Sequence, residues 1–153
     1  MTVLFYENIG HSPAWPLVIT ALAELDAKGL ATRPMDPPSQ YDPCMVSFDS
    51  EGEPNGFVCY RYDARGSSWF ILLAYVVPDL RRSGVHTAMF KALADRARAR
   101  GDITSIDCGT DVHNKAAQAA FKAQGRIPIA IMFKYVIKPH VDGKDPLDGT
   151  ADA

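Results

Sequence analysis

A short basic turn, residues 79–84, carries the residues of this sequence best suited to binding an anion. Two adjacent arginines, Arg81 and Arg82, precede Ser83, Gly84 and a helical pattern. The first backbone N–H groups of a helix lack intrahelical acceptors and carry a partial positive charge, so they attract phosphate. Ser83 is predicted to cap the helix, and Gly84 lets a ligand approach the backbone. The turn predicts a phosphate site, although it could equally be a plain strand-to-helix connection with solvated arginines.

A second polar stretch, residues 107–114, holds the candidates for proton transfer. Asp107, Asp111 and His113 could accept a proton from an attacking group, directly or through water. Asp111 could equally be a turn or capping residue, and His113 an exposed surface residue. Tyr75, the single hydroxyl in an apolar run before the basic turn, is either a proton donor or a core residue.

Two flanking elements must hold the basic turn in place. Residues 69–78 contain no charge and end at Pro78, which is typical of a central strand covered on both faces. Residues 85–100 place apolar side chains on one face and charged ones on the other, before Gly101. This pattern predicts an amphipathic helix that ends at a glycine. The unit is a strand, a tight basic turn and a helix.

The remaining pattern predicts a mixed α/β (α+β) fold. Ser12 and Pro13 mark the start of a first helix, the Asn55-Gly56 pair is a hairpin signal, and four prolines predict a loop over residues 31–43. Three consecutive strands followed by helix, strand, helix and strand give a sheet with helices on both faces. The other expected strands cover residues 2–8, 44–49, 57–62, 103–108 and 127–137, and the other helices about 13–28 and 114–125.

Composition favours one domain without a nucleic-acid or membrane partner. The chain has 153 residues, 47% of them hydrophobic, and a net charge of -2, so it can build one core and gives no global nucleic-acid signal. No apolar run approaches the roughly 20 residues that cross a bilayer. Three cysteines without metal-site spacing predict no metal and a cytoplasmic setting with reduced thiols. We expect one domain over residues 1–138 and a disordered tail over 139–153.

Two segments resemble the signatures of the GCN5-related N-acetyltransferases, the GNAT superfamily. Pro78–His86 is similar to the family's acetyl-CoA pyrophosphate loop, in which Arg or Gln, two residues, Gly and one residue precede Gly or Ala. Arg81 and Gly84 match this pattern, whereas His86 stands where a small residue is usual. Asn114–Gly125 resembles the family's Asn-x-x-Ala segment, in which an aromatic residue and a glycine follow.

The resemblance, which extends over roughly residues 69–136, implies a mostly antiparallel sheet of six or seven strands and acetyl-CoA as the acetyl donor. It implies direct attack by an amine of a small molecule or a protein in a ternary complex, with a backbone N–H of the central strand holding the developing oxyanion. The residues then expected to contact the cofactor lie in the central strand, the basic turn, the first helical turn and the last helix: Ala74, Val76, Arg81, Arg82, Ser83, Gly84, Val85, His86, Asn114 and Phe121.

Two departures from the family pattern leave alternatives open. Much of the family has a tyrosine at the position of Phe121 that protonates the departing thiolate, so Tyr75, Tyr135 or water would have to replace it. His86 would lie beside phosphate or point to solvent. The chain is therefore an active acetyltransferase, a catalytically weak acyl-CoA sensor or scaffold, or an interaction module without a cofactor. If the chain lacks a seventh strand, the expected strand 127–137 leaves unpaired backbone groups that a homodimer would cover, although a helix, a loop or the tail could cover them instead.

Overall fold

The computed structural model describes residues 1–30, 37–134 and 137. Within them, one five-stranded sheet is accompanied by three α-helices and two 3-10 helices, Ile9–His11 and Pro78–Leu80. The mixed α+β fold is confirmed, whereas only five of the six or seven expected strands occur among the described residues. The strands are β1 (Thr2–Tyr6), β2 (Cys44–Phe48), β3 (Pro54–Asp63), β4 (Ser68–Val76) and β5 (Ile106–Cys108). The helices are α1 (Trp15–Ala27), α2 (Val85–Arg100) and α3 (Lys115–Ala123).

The strands lie side by side in their chain order. The first three pairs are antiparallel, and β4 pairs with β5 in parallel. Parallel neighbours need a crossover connection, and α2 provides it. The predicted unit of strand, basic turn and helix is therefore confirmed. Among the described residues β1 and β5 are the two edges of the sheet, and β5 is shorter than the predicted strand 103–108.

Helices α1 and α2 cover opposite faces of the sheet. On one face Phe57 and Leu73 belong to the same apolar cluster as Val18 of α1. On the other face Val58 belongs to the same cluster as Met89 of α2. Successive strand residues point to opposite faces, so β3 contributes alternately to the two cores. The prediction of helices on both faces is confirmed.

Helix α1 begins later than the sequence predicted. Ala14 occupies the cap position and Trp15 the first helical one, whereas the prediction placed Ser12 and Pro13 there. The Ser12 hydroxyl donates to the Ile9 carbonyl oxygen at 2.8 Å and accepts from the Ala14 N–H at 3.3 Å. The predicted cap is wrong because the serine closes the preceding 3-10 helix.

The turn between β2 and β3 is formed by residues 49–53, not by Asn55-Gly56. Asp49 Oδ1 accepts two backbone N–H groups of this turn at 2.8 and 2.9 Å. Gly56 lies inside β3, where an added Cβ would come within 2.8 Å of the Tyr75 carbonyl oxygen. The predicted hairpin position is wrong because this glycine permits a close approach between strands.

The strand predicted over residues 127–137 is not formed in the described part of that segment. α3 ends at Ala123, Gly125 takes a φ of 80°, and the chain continues through residue 134 without regular secondary structure. High strand propensity does not form a strand without a neighbour to pair with. This segment is the largest departure from the predicted fold.

Some predictions fall on residues that the structure does not describe. The expected tail, residues 139–153, lies outside the described residues, as do residues 31–36 of the proline-rich loop. Residues 37–43 of that loop contain no helix or strand, as predicted. The boundary of the single domain at residue 138 stays a prediction. None of the helices in the described ranges combines the length and apolar character needed to cross a bilayer.

Candidate cofactor site and active site

β4 and β5 pair over a short distance and then separate. Their parallel register ends at Ile71 and Cys108. A bulge follows at once, because Leu72 has no partner in the β3–β4 ladder. Beyond it β4 stays paired with β3 but faces no strand on its other side within the described residues. This free edge contains Ala74 and Val76, the two β4 residues predicted to pair with the cofactor.

The start of α2 presents several backbone donors without a partner. No acceptor for the N–H groups of Val85, His86 or Thr87 lies among the described residues, and the first hydrogen bond of the helix begins one residue later. Gly84 has a φ of 89° and Arg82 a φ of 63°. Such changes of backbone hand turn successive N–H groups toward one concavity. The arrangement is suited to a phosphate or another anion.

The guanidinium of Arg81 is bound within the protein. Its two terminal nitrogens donate to the Glu24 carboxylate of α1 at 2.6 and 2.8 Å, and its Nε donates to the Val76 carbonyl oxygen at 2.9 Å. The hydrogen bond from Arg81 is the main cause that lowers the pKa of Glu24 to about 2. Arg81 therefore joins α1 to the basic turn. In this conformation its guanidinium is engaged, and its backbone N–H donates to the Pro78 carbonyl oxygen at 3.2 Å.

Arg82 and Ser83, the next two residues of the turn, differ in whether their side chains already have a partner. Arg82 is exposed and makes no ion pair with any described residue. The hydroxyl of Ser83 donates to the Leu80 carbonyl oxygen. The N-cap position of α2 is occupied by Gly84, which has no side chain that could cap the helix. The predicted cap by Ser83 is therefore wrong. Since no side chain caps α2, its first N–H groups remain available to a ligand.

The ring of His86 turns toward α3. Its Nδ1 lies 2.9 Å from Gln124 Nε2, and its centroid lies 6.3 Å from that of Phe121. Burial, with a smaller contribution from the charge of Arg126, lowers the pKa of His86 to about 4. The imidazole is consequently neutral at neutral pH. The expected placement in solvent is wrong, because the ring packs against Gln124 and Phe121, and the placement beside phosphate stays a prediction.

Arg126 lies between two aromatic rings beside the end of β5. Its guanidinium carbon is 3.8 Å from the ring centroid of Phe90 and 4.4 Å from that of Phe121. Nη1 donates to Cys108 Sγ at 3.2 Å, whereas the buried Nε and Nη2 have no partner within the described residues. Burial lowers the pKa of this guanidinium. Phe121, predicted to contact the cofactor, thus packs into a cluster that joins α2, α3 and β5.

Asp111 and His113 lie close together in the turn before α3. Asp111 Oδ1 accepts the His113 N–H at 2.8 Å and is 3.0 Å from its Nδ1. That backbone hydrogen bond is the main cause that lowers the pKa of Asp111, so its carboxylate is a weaker base than an ordinary one. The His113 side chain is 83% exposed. The turn and surface alternatives describe both positions, and their role as bases stays a prediction.

Asn114 caps α3. Its Oδ1 accepts the N–H of Ala117 at 3.2 Å, and the helix begins at the next residue. The predicted helix start is therefore confirmed. Because the amide oxygen is used by the cap, the predicted cofactor contact would fall to the amide nitrogen.

Tyr75 is buried on the face of β4 that α1 covers. Its ring stacks on that of Phe57 with centroids 6.2 Å apart, and the Arg81 guanidinium lies 5.3 Å from its centroid. Burial and then the charge of Glu24 raise the pKa of Tyr75, so the phenol keeps its proton at neutral pH. The other hydroxyl candidate, Tyr135, lies outside the described residues.

A family model agrees with this geometry. The model of the Acetyltransferase (GNAT) family matches residues 18–125, which is more than half of the 153-residue chain. The chain belongs to the GNAT acetyltransferase family. The matched range contains the free edge of β4 and the basic turn and ends at Gly125.

Solved GNAT structures share the fold. Aminoglycoside N-acetyltransferase AAC(6')-Iy in complex with CoA is 17% identical, with 90% of this chain and 99% of that chain covered and a TM-score of 0.63. The ribosomal-protein-alanine N-acetyltransferase from Brucella melitensis biovar Abortus 2308 has the same identity and coverage and a TM-score of 0.61. N-acetylglutamate synthase from Neisseria gonorrhoeae, at 17% identity, covers 80% of this chain and 28% of its own, with a TM-score of 0.57. No curated protein sequence matches the chain.

Three residues of this GNAT site had no predicted role. Glu24 holds Arg81 across 57 positions of sequence, so no local pattern could reveal it. Gln124 and Arg126 flank the glycine that closes α3, and their contacts with α2 and β5 depend on tertiary packing. A glutamine and an arginine beside a helix-ending glycine are the only sequence signal for them.

Proposed function

We propose that this protein is an N-acetyltransferase that transfers acetyl from acetyl-CoA directly to an amine in a ternary complex. The observation that carries the proposal is the set of free N–H groups at Val85, His86 and Thr87, next to a sheet that opens after Ile71. Membership of the GNAT family and the CoA bound in AAC(6')-Iy support the same cofactor for this chain. When bound, acetyl-CoA supplies an acetyl group activated as a thioester.

The residues present fit such a cofactor. The N–H groups at the start of α2 and the concavity made by Arg82 and Gly84 would hold the pyrophosphate. Arg82, whose side chain is free among the described residues, would add a positive charge. The open edge of β4 at Ala74 and Val76 would pair with the amides of the pantetheine arm, as a neighbouring strand would.

The chain's own part in the reaction is to position both substrates and to stabilise charge. An N–H on the free edge of β4 beyond the bulge would donate to the oxyanion that develops at the attacked carbonyl. Holding the amine and the thioester together supplies the proximity term. The amine must lose a proton, since an amine with a pKa of about 10.4 is mostly charged at neutral pH.

The two proton transfers are assigned to different groups. Asp111 and His113 lie together at the end of β5 and would accept the amine proton through water, although the lowered pKa of Asp111 limits this base. Tyr75 is the hydroxyl that would protonate the departing thiolate, although its raised pKa makes it a weaker donor than an ordinary tyrosine. Phe121 cannot do so, but a thiol of pKa near 8.5 leaves without much help.

The acceptor is proposed to be a primary amine of a small molecule or a protein. The solved relatives are named for aminoglycosides, ribosomal-protein alanine and glutamate, which defines a first panel. A cytoplasmic location stays a prediction, supported by three free cysteines in the structure.

The test has two stages. Calorimetry with acetyl-CoA should show binding, and thiol release should rise when a suitable amine is added. Acetyl-CoA binding without turnover on a broad amine panel would favour the acyl-CoA sensor, which the absence of a hydroxyl at Phe121 makes the second candidate. Failure to bind acetyl-CoA at all would refute both functions.

A further inference from the structure

Arg126 carries a positive charge that no carboxylate of the described residues compensates. Its Nη1 donates to Cys108 Sγ at 3.2 Å, whereas its Nε and Nη2 are buried and have no acceptor within the described residues. Burial lowers the pKa of this guanidinium, and the Cys108 thiol is the group that acts in the opposite direction. A charge taken out of water is costly unless an anion or several acceptors face it. The two empty donors therefore indicate a place for an anion.

Two aromatic rings hold the guanidinium in place without satisfying its donors. Its central carbon lies 3.8 Å from the ring centroid of Phe90 in α2 and 4.4 Å from that of Phe121 in α3. The faces of aromatic rings attract a cation, and the attraction grows when water is excluded. A hydrocarbon ring offers no lone pair to an N–H group, however. The charge is thus kept at a fixed point while two of its nitrogens remain free to donate.

This fixed point lies where β4 and β5 separate. Cys108 is the last β5 residue in the parallel register, opposite Ile71 of β4, and Leu72 forms the bulge that follows. The sulfur of Cys108 accepts the Nη1 donor there, so a sulfur atom fits against the guanidinium. Arg126 is therefore next to the point at which the free edge of β4 begins.

The free edge of β4 runs from this point toward the start of α2. The Val77 N–H donates to the Asn55 carbonyl oxygen of β3 at 3.0 Å. Backbone groups of successive strand residues point to alternate sides, so those of Val76 and Ala74 point away from β3, to the free edge. A pantetheine arm paired with this edge, with its pyrophosphate at the start of α2, would bring the sulfur back toward the bulge. The sulfur of the thioester would then lie beside Arg126.

We propose that Arg126 is a catalytic residue that stabilises the thiolate of coenzyme A as it leaves the acetyl group. In the transfer, the amine nitrogen bonds to the carbonyl carbon, the carbon–sulfur bond breaks, and its electron pair stays on the sulfur. A guanidinium beside that sulfur stabilises the new charge through a charge-assisted hydrogen bond. It does not give up its own proton, so the protonation of the thiolate is left to another donor.

Because the inference rests on the proposed acetyl transfer, its test separates binding of the thiolate from turnover. CoA carries a free thiol and acetyl-CoA does not, so calorimetry with both ligands from about pH 6 to 10 isolates the thiolate. A positive group within about 4–6 Å lowers the pKa of an acid by about 1 to 3. The affinity for CoA, relative to that for acetyl-CoA, should therefore be constant at low pH. It should rise at least about fivefold as the pH passes through the pKa of the bound thiol and then that of the free thiol.

Variants then assign this rise to one residue. Arg126→Gln should remove it, and Arg126→Lys, which keeps the charge, should retain part of it. Arg98→Gln, at an exposed arginine of α2 that pairs with Asp95, is the matched control and should retain the whole rise. Cys108→Ser should also retain it, because the titrating sulfur belongs to the ligand and not to the protein.

The wild-type protein alone can overturn the inference, even if Arg126→Gln does not fold. If both ligands bind and the ratio of their affinities does not change with pH, Arg126 does not stabilise the thiolate, and the proposed function stands. A rise that survives in folded Arg126→Gln would also overturn it. Failure of both ligands to bind would instead refute the proposed function, and this inference with it.

Discussion

The ion pair between Glu24 and Arg81 gives a quantitative prediction for the substitution Glu24→Gln. Hydrogen bonds from Arg81 and, second, from Lys28 lower the pKa of Glu24 from 4.5 to about 2, which would equal roughly 3 kcal/mol if wholly realised. The Arg81 side chain is 36% exposed, so water screens the interaction, and surface pairs contribute at most about 1 kcal/mol. We therefore expect Glu24→Gln to lower the free energy of unfolding by about 1 kcal/mol at neutral pH.

The pH dependence of this loss identifies its cause. Because the folded pKa of Glu24 lies below the unfolded one, its stabilisation is present above pH 4.5 and is lost as the pH falls toward 2. Urea unfolding at pH 7 and at pH 3 should thus show the difference between wild type and variant shrinking by more than half. Asp95→Asn, which removes exposed ion pairs with Lys91 and Arg98, is the control and should cost less than Glu24→Gln. A Glu24 variant no less stable than this control, or a loss independent of pH, would contradict the reasoning.

Four further predictions follow from the site and the sheet. Arg82→Ala should weaken acetyl-CoA binding and reduce its salt dependence by about one charge, measured by calorimetry at several salt concentrations; an unchanged slope would remove Arg82 from the phosphate. Acetyl-CoA affinity should not change between about pH 6 and 8, because the pKa of His86 is about 4. The stability supplied by the neutral ring of His86 should fall only as the pH drops below 6.5, and an NMR titration of His86 with a midpoint near 6.5 would contradict its burial. Gly56→Ala should destabilise the fold by about 1–3 kcal/mol, since its Cβ would meet a carbonyl oxygen at 2.8 Å, whereas Gly66→Ala, with no contact closer than 3.4 Å, should cost much less in thermal melts. Phe121→Tyr should leave acetyl-CoA affinity nearly unchanged, and a tenfold weaker complex in calorimetry would show that its packing shapes the cofactor site.

Local patterns predicted the elements whose cause is local. Helix α2 covers Val85–Arg100 as predicted, because its apolar periodicity and Gly101 act within the segment. The hairpin at Gly56 was wrong because the same residue type serves tight turns and close strand contacts, and only tertiary packing separates the two. The predicted cap at Ser83 was also wrong, because the Ser83 hydroxyl donates to the nearby carbonyl oxygen of Leu80.

The site was predictable in its backbone and less so in its side chains. The basic turn follows from one sequence motif. The free edge of β4 follows from the predicted order of the strands. The guanidinium of Arg81 could not be placed from sequence, because its partner Glu24 lies on another helix. The segment after α3 reads as a strand in its residues, but the described chain offers no paired neighbour, and sequence periodicity carries no information about which edge a strand will join.

The bulge at Leu72 divides β4 into two halves in which residues at every second position point to opposite faces of the sheet. Ile71 belongs to the core under α2, whereas Leu73, two positions later, belongs to the core under α1, although residues two apart on a regular strand share a face. Removing Leu72 would restore regular alternation and leave Leu73 and Tyr75 in the core under α1, because the residue that follows Ile71 on a regular strand points to that face. β4 therefore holds one residue more than regular alternation needs, and a strand shortened at Leu72 would keep the contents of both cores.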